Sequence, residues 1–380
     1  MNDTIPDLER LRAELDRIDR ELIERAAQRQ RVVSEIGRAK GFAGRQLRDF
    51  RREREVLDGV RAHAASLGLD ADVAEALLAT LIEASLTRQE TERVALAAQG
   101  EGKRALVIGG AGRLGAWLVR FLDSQGYAPL VADPAVDSAS EGGFSDWREA
   151  PEDVELIVIA APIEPSRKIL DALIERAPSA LVFDVASVKA PLVDGLRRAA
   201  STGLKICSVH PMFGPDTRLL AGRHVLLMDC GHAGALAEAR ALFADTMVEL
   251  VELDLAEHDR LMAWVLGLSH ALNLVFAATL AAAEIPAERL AEISSTTFGR
   301  QLGIASAVVA ENPRLYFEIQ HMNPNHPGVV DGLRAVIEEL ARALRQGDEP
   351  AFVELMQRGR AWTRRHRDAS RDAANRAHGQ

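Results

Sequence analysis

The chain has 380 residues, enough for two or three hydrophobic cores, because single cores stop growing at roughly 250–300 residues. With 47% apolar and 27% charged residues its composition is that of an ordinary globular protein. The net charge of -10 argues against a general nucleic-acid surface, and the basic tail from Arg358 to Arg376 reads as a solvated or helix-pairing end. The first residues carry Asp3, Asp7 and Glu9 instead of an apolar signal segment, so a cytoplasmic protein is expected.

Apolar residues recur at helical spacing from Leu8 to Gly37 (Leu8, Leu11, Leu15, Ile18, Leu22), which predicts one long helix. A turn at Gly41 to Gly44 leads to a second helix around Asp49 to Ser66, and Gly68-Leu69-Asp70 opens a third that runs to about Glu92. Three helices so poor in aromatics cannot enclose a core alone, so partner helices from a second chain, and hence a homodimer, are expected. The linker Gly100-Glu101-Gly102 ends this all-α segment. Alternating strands and helices follow: strands at Arg104–Ile108, Ala128–Ala132, Leu156–Ala161, Ala180–Val185 and Lys205–Val209, with a helix at Leu114–Gln125. From about Glu257 the pattern is helical to the end. The expected domains are therefore 1–98 (helical), 99–255 (α/β) and 256–380 (helical).

Leu261 to Ala283 is almost long and apolar enough to span a bilayer, but Ser269, His270 and Asn273 in its middle make insertion costly. It reads as a helix buried in a core or a dimer, and no membrane association is expected. Asn323-Pro324-Asn325-His326-Pro327-Gly328 predicts a kink or loop, since two prolines break a helix interior. Cys207 and Cys230 lie in apolar contexts without metal-ligand spacing and read as structural, with no metal expected.

Gly110-x-Gly112-x-x-Gly115 stands between a strand and a helix, where a pyrophosphate meets backbone amides at a helix N-terminus. The expected cofactor-binding residues are Gly110, Gly112, Arg113, Leu114 and Gly115. Gly110 would permit the tight turn, Gly112 backbone approach to the pyrophosphate, and Gly115 close packing of helix on strand. Asp133 ends the second strand about 20 residues on, placed to accept from ribose hydroxyls and repel a 2′-phosphate, which favours NAD over NADP. Asp184-Val185-Ala186-Ser187-Val188-Lys189 lies at the carboxyl end of a later strand, where ligands dock on open α/β sheets. His210 follows another strand and is flanked by Pro211, Gly214 and Pro215. Beside NAD, its neutral imidazole could take a proton from an alcohol as hydride leaves the same carbon.

Together these motifs resemble the bifunctional chorismate mutase/prephenate dehydrogenase family of tyrosine biosynthesis, over nearly the whole chain. The resemblance implies a chorismate mutase-like helical domain, a Rossmann NAD-binding domain and an all-α dimerisation domain. It implies that His210 polarises the ring hydroxyl of prephenate, that Ser187 supports the same hydroxyl, that Arg300 holds a carboxylate and that His270 lies near the substrate. It also implies tyrosine as a feedback inhibitor.

The first ninety residues are similar to the all-helical chorismate mutases, with Arg12, Arg29, Lys40, Asp49, Arg52, Glu53, Ser85 and Gln89 matching that family's active-site pattern in order and spacing. The chemistry suits them. Chorismate is a dianion that must fold into a chair, and charge builds on its ether oxygen as the C–O bond breaks. Arg12, Arg29 and Arg52 can grip the carboxylates, Lys40 and Gln89 can donate to the ether oxygen, and Glu53 can accept from the ring hydroxyl. Neither nucleophile nor metal is needed. Two alternatives remain open at this point: a dehydrogenase for arogenate or amino-substituted prephenate, and a helical segment serving only dimerisation or regulation.

Overall fold

The computed structural model describes residues 8–42, 50–98, 100–137 and 142–377. It comprises two compact units, Met1–Leu255 and Ala256–Gln380.

The first unit opens with α1 (Leu8–Phe42), α2 (Phe50–Ser66) and α3 (Ala71–Leu96). Asp70 caps α3 by accepting the Asp72 N–H at 2.7 Å, which satisfies one of the orphan donors of the first turn. The stripe on α1 that predicted its helix is not covered by α2 and α3: Leu8, Leu11, Leu15, Ile18, Leu22 and Ile23 all remain exposed. Such a helix gains little from burial against the described residues of its own chain, which leave its stripe uncovered.

A mostly parallel sheet follows. Its strands are β1 (Arg104–Ile108), β2 (Ala128–Ala132), β3 (Gly143–Phe144), β4 (Leu156–Ile159), β5 (Leu181–Asp184), β6 (Ile206–Pro211), β7 (His224–Asp229) and β8 (Glu249–Glu252). They are arranged in the order β3-β2-β1-β4-β5-β6-β7-β8, with β6 and β7 antiparallel and every other pair parallel. Helices α4 (Arg113–Ser124), α5 (Ile163–Arg176), α6 (Val193–Ser201) and α7 (Ala233–Phe243) connect them. β4 and β5 are buried along their whole length, which explains their unbroken apolar sequences Leu-Ile-Val-Ile and Leu-Val-Phe-Asp. Trp117, Phe121 and Phe243 stack in series at 5.1 Å spacings against the sheet. Chain order reverses at β1, which lies between β2 and β4, and the strand ends there form the crevice in which such sheets bind ligands.

The second unit is helical, as the periodicity indicated: α8 (Leu255–Met262) enters it, a π-helical turn at Ala263–Leu268 follows, then α9 (Ser269–Ala282), α10 (Ala287–Glu292), α11 (Thr296–Val309), α12 (Pro313–Met322), α13 (His326–Gln346) and α14 (Glu349–Ala377). The apolar helix expected to be buried is not buried within this chain. Only 11% of its most apolar stretch is covered, and Trp264, Val265, Leu274 and Val275 are exposed. The loop foreseen at the two prolines is present. Asn323 holds it by donating from Nδ2 to the Asp259 carbonyl (2.8 Å) and accepting the Asn325 N–H at Oδ1 (2.9 Å). Pro327 falls in the first turn of α13, where a missing N–H costs no intrahelical bond.

Candidate active sites

A small cavity of about 140 Å3 between α1, α2 and α3 is lined by Arg29, Arg52, Glu53, Ser85 and Gln89, with Val33, Ile36, Val56, Ile82 and Leu86 as its apolar walls. Five of the eight residues singled out in this segment thus meet. Arg29 donates to Ser85 Oγ and to the Leu81 carbonyl, both at 3.1 Å, which fixes its guanidinium toward α3, and burial lowers its pKa. Gln89 donates from Nε2 to the Val33 carbonyl at 2.9 Å. Its amide carries two N–H donors, and that bond uses one of them. Close packing of α1 on α3 requires Gly37, where a Cβ would stand 3.0 Å from the Gln89 side chain. Arg52 lies in an exposed pair with Glu55 at 3.3 Å. Arg12 does not join the cavity, because it sits nearly five turns before Arg29 on the same helix. Asp49 and the side chain of Lys40 lie outside the described residues.

In the α/β part, β1 leads through Gly109 into α4. The left-handed backbone of the tight turn falls on Gly109 (φ +86°), one residue before the position expected from the motif. A Cβ there would also lie 2.7 Å from the Ala160 carbonyl. At Gly115 a Cβ would come within 2.1 Å of the Gly109 oxygen, so only glycine lets the first turn of α4 fold back onto the strand. Gly112 caps α4 without a side-chain hydrogen bond, leaving the first amides of the helix open to an anion. Gly110 and Leu114 are the other members of this cradle, and Arg113 reaches across to Asp216 at 2.8 Å. Asp133 follows β2 directly, its Oδ1 accepting the Ala135 N–H at 2.9 Å. The cradle suits a pyrophosphate, and the carboxylate beside it suits a ribose.

Ser187 and His210 stand at the same edge of the sheet as the glycine turn, because β1, β4, β5 and β6 run parallel in that order. Three strand spacings separate β1 from β6, about 14 Å along this edge. His210 lies within β6 opposite Leu226 of β7 and is only 3% exposed. Behind it is a feature that sequence reasoning quoted but gave no role: Lys189 and Asp184 form a fully buried ion pair at 2.6 Å. Lys189 also donates to the Val209 carbonyl (3.0 Å), and Asp184 accepts the Ala186 N–H (3.0 Å). The pair therefore ties the Ser187 loop to the strand that carries His210. The Asp184 Oδ1 and Ser208 Oγ atoms, on residues opposite each other in adjacent strands, have no hydrogen-bond partner among the described residues. Cys207 and Cys230 are buried, as read from the sequence, and they are not bridged. Burial pushes the Cys230 thiol up to about 12 and Cys207 well above its ordinary value.

In the second unit His270 lies on α9, stacked on Tyr316 with ring centroids 4.4 Å apart. Burial, and then the nearby His326, lower its pKa, so its ring is held neutral. Arg300 is exposed on α11, which packs on α9 through a 2.8 Å bond from Gln301 to Asn273 Oδ1.

Residues 11–90 match the chorismate mutase type II family, 134–252 the prephenate dehydrogenase nucleotide-binding domain, and 254–358 the prephenate dehydrogenase dimerization domain. The chain belongs to the bifunctional chorismate mutase/prephenate dehydrogenases. As a member of that family it is 26% identical to the T-protein of Enterobacter agglomerans over 365 residues, covering 94% of this chain and 93% of that one. The T-protein of Haemophilus influenzae is 24% identical, over 93% and 92% of the two chains. A 4-amino-4-deoxyprephenate dehydrogenase of Streptomyces pristinaespiralis is 28% identical, over 66% of this chain and 88% of its own. Two solved structures share the fold of about two thirds of the chain. The prephenate dehydrogenase of A. aeolicus, solved with hydroxyphenyl propionate and NAD+, covers 69% of this chain and 97% of its own at 20% identity and a TM-score of 0.56. The arogenate dehydrogenase of Synechocystis covers 69% and 99% at 20% identity and a TM-score of 0.54.

Proposed function

We propose that this protein isomerises chorismate to prephenate in its N-terminal helices and then, with NAD+, oxidatively decarboxylates prephenate to 4-hydroxyphenylpyruvate, CO2 and NADH. The observation that carries the proposal is the joint presence, in one chain, of a small cavity bearing Arg29, Arg52, Glu53, Ser85 and Gln89 and of a glycine cradle on the same sheet edge as His210. The mutase reaction is unimolecular, and the cavity supplies what it needs. Guanidinium groups hold the dianion folded, and the Gln89 amide, with Lys40, donates to the ether oxygen as charge builds there. Asp49 is proposed as a further residue that binds chorismate.

For the second reaction Gly110, Gly112, Arg113, Leu114 and Gly115 hold the pyrophosphate of NAD, and Asp133 the ribose. When bound, the cofactor accepts hydride from the substrate ring. His210 takes the proton from the ring hydroxyl as it becomes a carbonyl, Ser187 hydrogen-bonds the same oxygen, Arg300 holds a carboxylate, and His270 serves as a neutral substrate contact. Loss of CO2 makes the ring aromatic, which renders the step effectively irreversible. The buried Lys189–Asp184 pair keeps Ser187 and His210 in fixed relation.

We also propose that the enzyme is a cytoplasmic homodimer. The exposed apolar stripe of α1 and the uncovered helix from α8 through α9 support this, since both leave large apolar side chains in water. Tyrosine is proposed as a feedback inhibitor. The deciding experiment supplies chorismate and NAD+ together and follows NADH and CO2, with arogenate and 4-amino-4-deoxyprephenate as competing substrates and tyrosine as an added arm. Faster oxidation of either amino compound than of prephenate would overturn the substrate assignment, and absence of chorismate consumption would overturn the first step.

A further inference from the structure

Glu90, the residue after Gln89 on α3, is 5% exposed and spends both carboxylate oxygens outside the mutase helices. Its Oε2 accepts the Leu220 N–H at 2.8 Å, and its Oε1 accepts the Met247 N–H at 2.6 Å. Hydrogen bonds to an ionised acceptor are roughly twice as strong as neutral ones. Desolvation raises this carboxyl's pKa and the two amide bonds lower it, so the amides offset part of the cost of burying the charge. Arg93, one turn further along α3, adds a half-exposed pair with Asp245 at 3.3 Å.

Leu220 lies in the irregular segment 212–223 between β6, which carries His210, and β7. That segment is also pinned to α4: the Trp117 indole donates to the Thr217 carbonyl at 2.9 Å, and Arg113 pairs with Asp216. α4 begins at the glycine cradle. A continuous run of contacts therefore leads from the mutase cavity, through Glu90 and residues 216–220, to the turn assigned to the pyrophosphate. Its middle stretch has no regular secondary structure, and apart from these bonds it is held by isolated turns such as Thr217 N–H to the Gly214 carbonyl (3.1 Å) and Arg223 N–H to the Leu220 carbonyl (2.9 Å). A ligand that orders such a segment from one end reduces the entropy a second ligand must lose at the other.

We propose that Glu90 is a positioning residue that couples the two active sites, so that dinucleotide bound at α4 tightens chorismate binding at the mutase cavity. The proposal rests on the assignment of these two sites above. The coupling is reciprocal, and couplings of this kind are typically about 5-fold or more in affinity.

The test measures chorismate consumption by the full-length enzyme with and without saturating NADH, which binds without oxidising prephenate. The KM for chorismate should fall about 5-fold with NADH in the wild type. In Glu90→Gln, whose amide can accept only one of the two N–H groups, KM should no longer respond to NADH, while mutase turnover without cofactor and Tm show a folded enzyme. A readout that needs no variant is hydrogen exchange in the wild type, where NADH should slow exchange in 212–220 and in the α3 segment 85–94. A wild-type KM indifferent to NADH, unchanged exchange in α3, or coupling that survives in Glu90→Gln would overturn the proposal. If chorismate is not turned over at all, the mutase assignment fails instead, and exchange with NADH alone still decides whether Glu90 transmits.

Discussion

Arg12 and Arg29 lie on one helix 17 positions apart. At 1.5 Å per residue that is about 25 Å, several times the separation of two carboxylates on one small molecule. If both arginines grip chorismate, they cannot grip the same chorismate within one chain, so Arg12 must serve the cavity of a partner. Arg12→Ala and Lys40→Ala should each cost on the order of 100-fold or more in mutase rate, the loss typical of one preorganised donor. In a two-fold dimer, chains mixed in equal amounts and allowed to exchange give about half mixed dimers, each with one complete composite site, hence about a quarter of wild-type activity. The assay is chorismate consumption after exchange, with mixed dimers counted by native mass spectrometry of differently tagged chains. Mixed dimers without recovered activity would refute the shared site, and so would an Arg12→Ala enzyme with normal mutase rate.

His210→Asn should lower kcat for prephenate oxidation strongly with little change in KM, because its interaction develops in the transition state; a normal kcat would remove it from the mechanism. Arg300→Gln should mainly raise KM, by about 10-fold given its exposure in the single chain, with mutase activity kept in both variants. Asp133→Ala should narrow the preference for NAD over NADP in kcat/KM, and a wild-type enzyme using both equally would refute the ribose assignment. Lys189→Met strands the buried Asp184 charge and should cost about 3–5 kcal/mol in urea unfolding, whereas Lys189→Met with Asp184→Leu should recover much of it; equal loss in both would mean that shape rather than charge holds the loop. The folded pKa of His270 is depressed below its unfolded value, so its contribution to stability is full above about 6.5 and is lost as pH falls through the folded value. His270→Gln should flatten the loss of stability between pH 7 and 5, and an unchanged slope would show that the ring does not titrate with unfolding.

The elements with local signals were legible in the chain. The 3.6-residue period marked α1, the turns before α2 and α3 marked those helices, the apolar runs marked β1, β4 and β5, and glycine spacing marked the turn before α4, because period, capping and turn chemistry act over a few residues. The residue types of the mutase cavity were legible too, since each arginine, glutamine and glutamate carries its chemistry with it. Other features depended on distance. β8 (Glu-Leu-Val-Glu) and the antiparallel β7 carry weak patterns, and only pairing with the completed sheet makes them strands. The left-handed backbone fell on Gly109 rather than Gly110, and both positions are closed to a side chain by neighbours that the sheet brings alongside, Ala160 after β4 and Val131 on β2. The helix from α8 through α9 read equally as core or interface, and its exposure in the folded chain put it on the surface. Glu90 had no sequence signal at all, because its amide partners lie 130 and 157 residues away. Local propensity is written in neighbouring residues, whereas the desolvation and pairing of a charge depend on what the rest of the chain brings against it, and only the tertiary structure decides that.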